Sequence, residues 1–152
     1  MSYVDNLMKI YLDNCCFNRP YDNQRNIKIK LEAEAKLYIQ QLIRLSKLQL
    51  VWSYVLDYEN LQNPFEERKL RISSWKKFAI NDIEENTEII KKAIRLNEIG
   101  LRKMDALHVS CAIQGQCSYF ITTDKGILKK SHVIEEVKIT DPIFFIKEII
   151  DD

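Results

Sequence analysis

Lys9-Ile10-Tyr11-Leu12-Asp13-Asn14 decides how the chain is read: three apolar residues in a row, closed by a carboxylate. A run this short, apolar at consecutive rather than alternate positions, is the pattern of a strand buried on both faces. Residues 48–52, 119–123 and 137–140 repeat it, and each run is followed by a helical pattern. Apolar strands separated by helices predict an α/β protein, a three-layer α/β/α sandwich with a central, mainly parallel sheet.

The connecting segments fill in the outline. Residues 15–25, with Asn18-Arg19-Pro20 inside them, read as an irregular loop. Over residues 27–46, Leu31, Ala35, Tyr38, Leu42 and Leu45 recur at steps of four and three, which predicts an amphipathic helix packed through that stripe. Ser53 is placed to cap a helix carrying Val55, Leu56 and Glu59. Asn63-Pro64 breaks it, and residues 65–78 resemble another helix. Asn81 or Asp82 caps a helix that runs to Glu98 and closes at Gly100. Residues 103–114 form a buried helix stopped by Gly115, residues 125–130 a short one, and Pro142 opens a last helix over 143–150. With no repeat or linker in 152 residues, the expected organisation is a single domain over 1–152.

Four acids stand where surface charge does not belong. Asp13 and Asp124 end apolar strands. Asp105 is the one charge in Met104-Asp105-Ala106-Leu107-His108-Val109-Ser110-Cys111-Ala112-Ile113. Glu59 shares a helical stripe with Val55 and Leu56, whereas Asp57 points away from it. Sites in parallel sheets form beyond the carboxyl ends of the strands, which is where Asp13 and Asp124 fall. Each acid has a plainer reading: Asp13 and Asp124 as turn or cap residues, Glu59 as a solvated helix residue, Asp105 as an acid satisfied by a helix N-terminus. Four acids at one rim of one sheet favour a binding site for a hard divalent cation, because isolated carboxylates set into apolar elements are costly. Thr122 and Thr123 are placed to orient the acids through their hydroxyls. His108, one turn beyond Asp105, reads as a packed core histidine rather than a ligand.

Composition narrows the classes. The chain is 30% charged with a net charge of +1, so it is neither disordered nor driven to nucleic acid by its overall field. No stretch is long enough to span a membrane, and the start lacks the basic and apolar regions of a signal peptide, so a cytoplasmic location is expected. Lys76-Lys77, Lys91-Lys92, Arg102-Lys103 and Lys129-Lys130 offer polyanion contacts, although such doublets usually mark a solvated helix face. The four cysteines, Cys15, Cys16, Cys111 and Cys117, lack paired zinc-site spacing, and His108-x-x-Cys111 has no second pair to complete a tetrahedral set.

Ile10-Tyr11-Leu12-Asp13, Ser53-x-x-x-x-x-Glu59, Lys103-Met104-Asp105-Ala106-Leu107-His108 and Phe120-Ile121-Thr122-Thr123-Asp124 stand in the order and spacing of the PIN-domain nucleases, a resemblance that extends to Asp141-Pro142-Ile143-x-Phe145. It implies a Mg²⁺ or Mn²⁺ site lined by Asp13, Glu59, Asp105 and Asp124 that cleaves RNA. Small members of this family resemble the chain in size and are toxins of bacterial toxin–antitoxin pairs, which implies a small antitoxin protein as partner and self-association as a homodimer. One position departs from the pattern: Asn14 follows Asp13 where the family usually has Thr or Ser. Asn14 and Arg19, in or beside the loop of residues 18–22, are candidate substrate contacts, and Ser53, Thr122 and Thr123 are candidate supports of the acids. A haloacid-dehalogenase-like phosphatase would need an Asp where Cys15 stands, and a response-regulator receiver a Lys in place of Asp141-Pro142. The remaining alternative is a non-catalytic PIN-like module that grips RNA or a protein, for which four mutually repelling carboxylates have no physical purpose.

Overall fold

The computed structural model describes residues 7–18 and 25–151; Arg19 and the rest of its loop through Asp22 lie outside them. Strand β1 (Lys9–Leu12) leads into a short helix α1 (Asn14–Asn18), and α2 (Ile27–Arg44) crosses to β2 (Gln49–Ser53). Helices α3 (Tyr54–Leu61) and α4 (Glu66–Ser73), with a 3₁₀ turn (Ser74–Phe78), lead to β3 (Ala79–Ile83). Helices α5 (Thr87–Glu98) and α6 (Lys103–Gln114) return the chain to β4 (Tyr119–Ile121). The chain then runs through α7 (Lys125–Leu128), β5 (Lys138–Thr140) and α8 (Pro142–Asp151).

The five strands form one parallel sheet in the order β3-β2-β1-β4-β5, with helices on both sides, as the strand pattern predicts. The chain winds outward from β1 through β2 to β3 and then restarts on the other side of β1 with β4. The topological switch point therefore lies between β1 and β4, where the crevice of such sheets opens. Ile10, Tyr11, Leu12, Trp52 and Phe120 are fully buried at the centre, and Tyr11 stacks on Phe120 with ring centroids 5.3 Å apart.

Three features depart from the sequence expectation. Residues 79–83, where a helix cap is predicted, form β3 instead, and Asn86 rather than Asn81 or Asp82 caps α5 by accepting from the Ile89 N–H at 2.9 Å. This is an edge strand with Ile80, Asn81 and Asp82 exposed, so it lacks the apolar run of a central strand. Residues 14–18 are helical, not loop, and the helix expected over 65–78 ends in a tighter 3₁₀ turn. The third departure lies in α2. Leu31, Tyr38 and Leu45 of the expected stripe are exposed, and the buried face is Glu32, Ala33, Lys36, Ile39 and Ile43.

Gly115 ends α6 with an ordinary negative φ of -77°, so the need for glycine there is spatial. A Cβ at this position would stand 2.9 Å from Val51 Cγ1 on β2. Gly100, at φ +115°, is the position where chain reversal itself favours glycine.

Lys36 is the most costly member of this core. It is wholly buried, its Nζ 4.5 Å from the Phe17 ring centroid and 5.5 Å from that of Trp75. The Gln40 amide, turned with its oxygen inward, accepts from Lys36 Nζ at 2.6 Å and from Trp75 Nε1 at 2.9 Å. Burial lowers the Lys36 pKa from 10.5 to about 7, against a smaller opposing effect of Cys16. Between those two values the unfolded chain holds a proton that the folded chain has released, so this group makes stability rise with pH across that window. Lys36→Met is expected to be more stable than the wild type at pH 7, by at most about 5 kcal/mol. That advantage should shrink as the pH approaches the unfolded lysine value. Urea unfolding at neutral and alkaline pH checks both statements, and a variant no more stable at pH 7 would show that the aromatic rings and Gln40 compensate the buried ammonium.

Candidate active site

Asp13 leaves β1 at the switch point, where its backbone N–H donates to Ile121 O of β4 at 3.0 Å. Its side chain is held from three directions. Thr122 Oγ1 donates to Oδ2 at 2.8 Å, the Asn14 N–H to Oδ1 at 2.8 Å, and the Cys15 thiol approaches Oδ2 at 3.4 Å. Thr122 also accepts from the Asp124 N–H at 3.0 Å, so one hydroxyl fixes the first and last acids relative to each other. Thr123 meets the site through its backbone N–H, which donates to Cys15 Sγ.

Asp124 serves two purposes. Oδ1 caps α7, accepting from the Gly126 and Ile127 N–H groups at 2.7 and 3.2 Å, while Oδ2 accepts from Arg102 at 2.7 Å. Asp105, in the first turn of α6, accepts from Arg102 Nε at 3.2 Å. Arg102 thus spans two acids at the rim, although its own side chain is 76% exposed. Burial raises the Asp105 pKa, the charges of Asp124 and Asp13 raise it further, and Arg102 only partly offsets them. The groove therefore carries more negative charge than its own cation neutralises.

Glu59 projects from α3 into the same groove, while Asp57 is engaged elsewhere, accepting from Trp52 Nε1 at 2.9 Å and from Lys76 at 3.1 Å. The partner of Glu59 is His108 Nε2. His108 is fully buried, and its Nδ1 lies 2.6 Å from the Tyr11 hydroxyl, which lies 2.6 Å from Ser53 Oγ. Ser53 in turn caps α3 by accepting from the Leu56 N–H at 3.2 Å. With His108 neutral and its proton on Nε2, one direction of donation satisfies the whole chain: Leu56 N–H to Ser53, Ser53 to Tyr11, Tyr11 to His108 Nδ1, and His108 Nε2–H to Glu59. Burial is the largest influence on His108 and disfavours its charged form. The Glu59 hydrogen bond and the charges of Asp13, Glu59 and Asp105 outweigh it, so its pKa stands above the ordinary imidazole value.

The structure brings Asp13, Glu59, Asp105 and Asp124 into one groove of about 490 Å³, with Asn14, Asn18 and Arg102 also in its walls. Asp13, Glu59 and His108 each bring a ligand atom within 4.8 Å of the others. His108 is the packed, hydrogen-bonded core histidine expected, with both ring nitrogens engaged, and it meets the groove through Glu59. Arg102 was legible only as one of several basic doublets. Asn14 Oδ1 is buried at the groove with no hydrogen-bond partner among the described residues, so an acceptor is available where the family pattern has a hydroxyl. Ser53 supports Tyr11 and α3 rather than touching the acids. Arg19 lies outside the described residues.

Tyr11→Phe removes the atom that joins Ser53 to His108 and leaves a buried imidazole nitrogen and a buried hydroxyl without their partner. A loss of about 1–3 kcal/mol in unfolding free energy is expected, measured by urea denaturation. Wild-type stability in this variant would mean that the chain of hydrogen bonds contributes nothing.

No curated protein matches the chain in sequence. Among solved structures, a chain of VapBC2 from Rickettsia felis, solved bound to a DNA fragment from their promoter, has the same fold. Its TM-score is 0.55 at 13% identity, over 88% of this chain and 98% of that one. The PIN domain model matches residues 10–133, from β1 past α7, and spans all four groove acids. The chain belongs to the PIN domain family.

Proposed function

We propose that this protein is an endoribonuclease that hydrolyses RNA phosphodiester bonds with Mg²⁺ or Mn²⁺ held by Asp13, Glu59, Asp105 and Asp124, and that it is the toxin of a toxin–antitoxin pair. PIN domains are generally nucleases. The observation that carries the reading is the convergence of four carboxylates in one groove at the switch point, with Asp105 kept harder to ionise by burial and by its acidic neighbours. An all-oxygen donor set with excess negative charge and an unpartnered amide oxygen at its edge fits a hard divalent ion. Such an ion supplies Lewis-acid chemistry, activating water and neutralising charge that develops on a phosphodiester.

The protein's own groups do the positioning. Thr122 holds the Asp13 carboxylate, the Tyr11–His108 pair holds Glu59, and Arg102 stands at the rim where a substrate phosphate would enter. The likeness of fold to a VapBC2 chain supports the toxin reading. In that reading the partners are the RNA substrate and a small antitoxin protein, with self-association as a homodimer, and the place of action is the cytoplasm. Among the described residues no helix is long and apolar enough to cross a membrane.

The deciding experiment incubates the purified protein with structured and single-stranded RNA in Mn²⁺, Mg²⁺ or EDTA, beside Asp13→Asn. Cleavage that needs the metal and disappears in the variant is expected; cleavage that persists in EDTA would overturn the assignment. Asp105→Asn should remain folded by circular dichroism and reduce cleavage to the EDTA background, and an active, folded variant would sink the four-acid site. Arg102→Gln removes the cation that competes for Asp105 and Asp124. Mn²⁺ should then bind severalfold more tightly by calorimetry while the KM for RNA rises, and unchanged metal affinity would refute the competition.

A further inference from the structure

The acid groove does not end at its acids. It shares Asn14, Asn18 and Glu59 with a neighbouring hollow that runs on over Asn63 to Phe65 and Arg68. That hollow shares Phe65 and Arg68 with a third, whose wall includes Arg71, and Arg71 also borders a cavity of about 290 Å³ with Arg44, Gln40 and Trp75. The character of the path changes along its length. It begins with carboxylates, passes three asparagines of which Asn63 donates to Asn18 at 3.1 Å, crosses a stretch where Glu66 and Glu67 stand beside Arg68 and Arg71, and ends among arginines and aromatic rings.

From these observations, and resting on the ribonuclease reading above, we propose that this path is a binding track for single-stranded RNA, along which the strand leaving the acid groove passes Phe65 and Arg68 and is gripped by Arg71 and Arg44. Carboxylates repel phosphates, so much of the affinity for an RNA strand has to come from cations outside the acid groove. Arg68 lies over the Phe65 ring with its guanidinium carbon 4.2 Å from the centroid, and Arg44 over the Trp75 ring at 4.7 Å. Stacked guanidiniums are partly ordered before binding, so less freedom is lost when they meet phosphate. The Arg71–Glu67 pair at 3.1 Å is 65% and 82% exposed, a weak contact that a phosphate can replace. Phe65 is 55% exposed, and an open aromatic face beside arginines is a platform for an unpaired base. A duplex has no free base face to offer it, and for that reason the track selects single strands.

The test measures binding of fluorescein-labelled, 2′-O-methyl RNA in EDTA by anisotropy. The probes are a single strand of about twelve nucleotides, within the usual range for such tracks, one of about four, and a duplex of the longer sequence. Wild type is compared with Phe65→Ala and with the Arg44→Gln/Arg71→Gln pair, all at exposed positions. The long single strand should bind wild type best and lose about tenfold in each variant. In the arginine pair the slope of log affinity against log salt should fall by about 0.7 for each phosphate contact removed. The four-nucleotide strand should lose much less. Equal binding of the long strand by all three proteins, equal binding of duplex and single strand by wild type, or loss of a protein partner in the variants with RNA binding intact would overturn the track. Cleavage assays keep the two readings apart. Wild type that cuts RNA with a KM unchanged in the arginine pair fails the track alone, whereas wild type that neither cuts nor binds RNA fails the nuclease reading and the track together.

Discussion

The Tyr11 hydroxyl projects from the central strand toward α6, buried out of reach of water, and it has to be satisfied there. Its partners come from two other elements: Ser53 at the end of β2, where α3 begins, and His108 inside α6. A buried polar chain of this kind is favourable only when every member is paired, so it admits one arrangement of β1, β2, α3 and α6. The chain ends on Glu59, and the cost of burying the polar groups is answered at a carboxylate the site needs. The packing of the central sheet and the aim of one acid are therefore the same structural fact.

The other three acids are placed by backbone geometry. Asp13 and Asp124 follow β1 and β4, the neighbours on either side of the switch point, and Asp105 lies at the start of the helix that leads into β4. Arg102 relieves their mutual repulsion only in part, and burial together with that repulsion raises the Asp105 pKa. Like charges gathered in this way lower their free energy by taking up a proton or a cation from outside. The uncompensated charge is what separates this groove from an ordinary polar crevice.

The sequence showed the central strands and all four acids because both break an expectation locally: consecutive apolar residues where a half-buried strand would alternate, and carboxylates where an element is otherwise apolar. It hid β3, because an edge strand with Asn81 and Asp82 facing water has the composition of a loop. It misdirected the reading of α2 for a sharper reason. The more exposed stripe through Leu31, Ala35, Tyr38, Leu42 and Leu45, of which Ala35 and Leu42 are half-buried, and the buried stripe through Glu32, Lys36, Ile39 and Ile43 have the same helical spacing, displaced by one residue. Hydrophobicity alone prefers the first stripe, since the second contains Glu32 and Lys36. Only the aromatic surroundings of Lys36 reveal that a charged residue belongs to the core, and those come from α1 and the 3₁₀ turn, far away in sequence. The packed, hydrogen-bonded state of His108 was legible, but its partners Tyr11 and Glu59 were not, because they come from distant parts of the chain.

Lys36 and the acid groove both border a single short helix, α1. Asn14, at the start of α1, lines the groove, and Phe17, three residues on, covers the buried ammonium. With only five residues, α1 has little intrinsic stability and depends on what packs at its two ends. Charge on Lys36 opposes burial on one side, and charge on the acids opposes burial on the other. The helix that carries Asn14 past Asp13 therefore borders two electrostatic costs: Gln40, Trp75 and its own Phe17 meet that of the lysine, and Thr122 and Arg102 that of the carboxylates. Phe17, which covers Lys36, and Asn14, whose N–H holds the Asp13 carboxylate, thus depend on the same five-residue helix being formed.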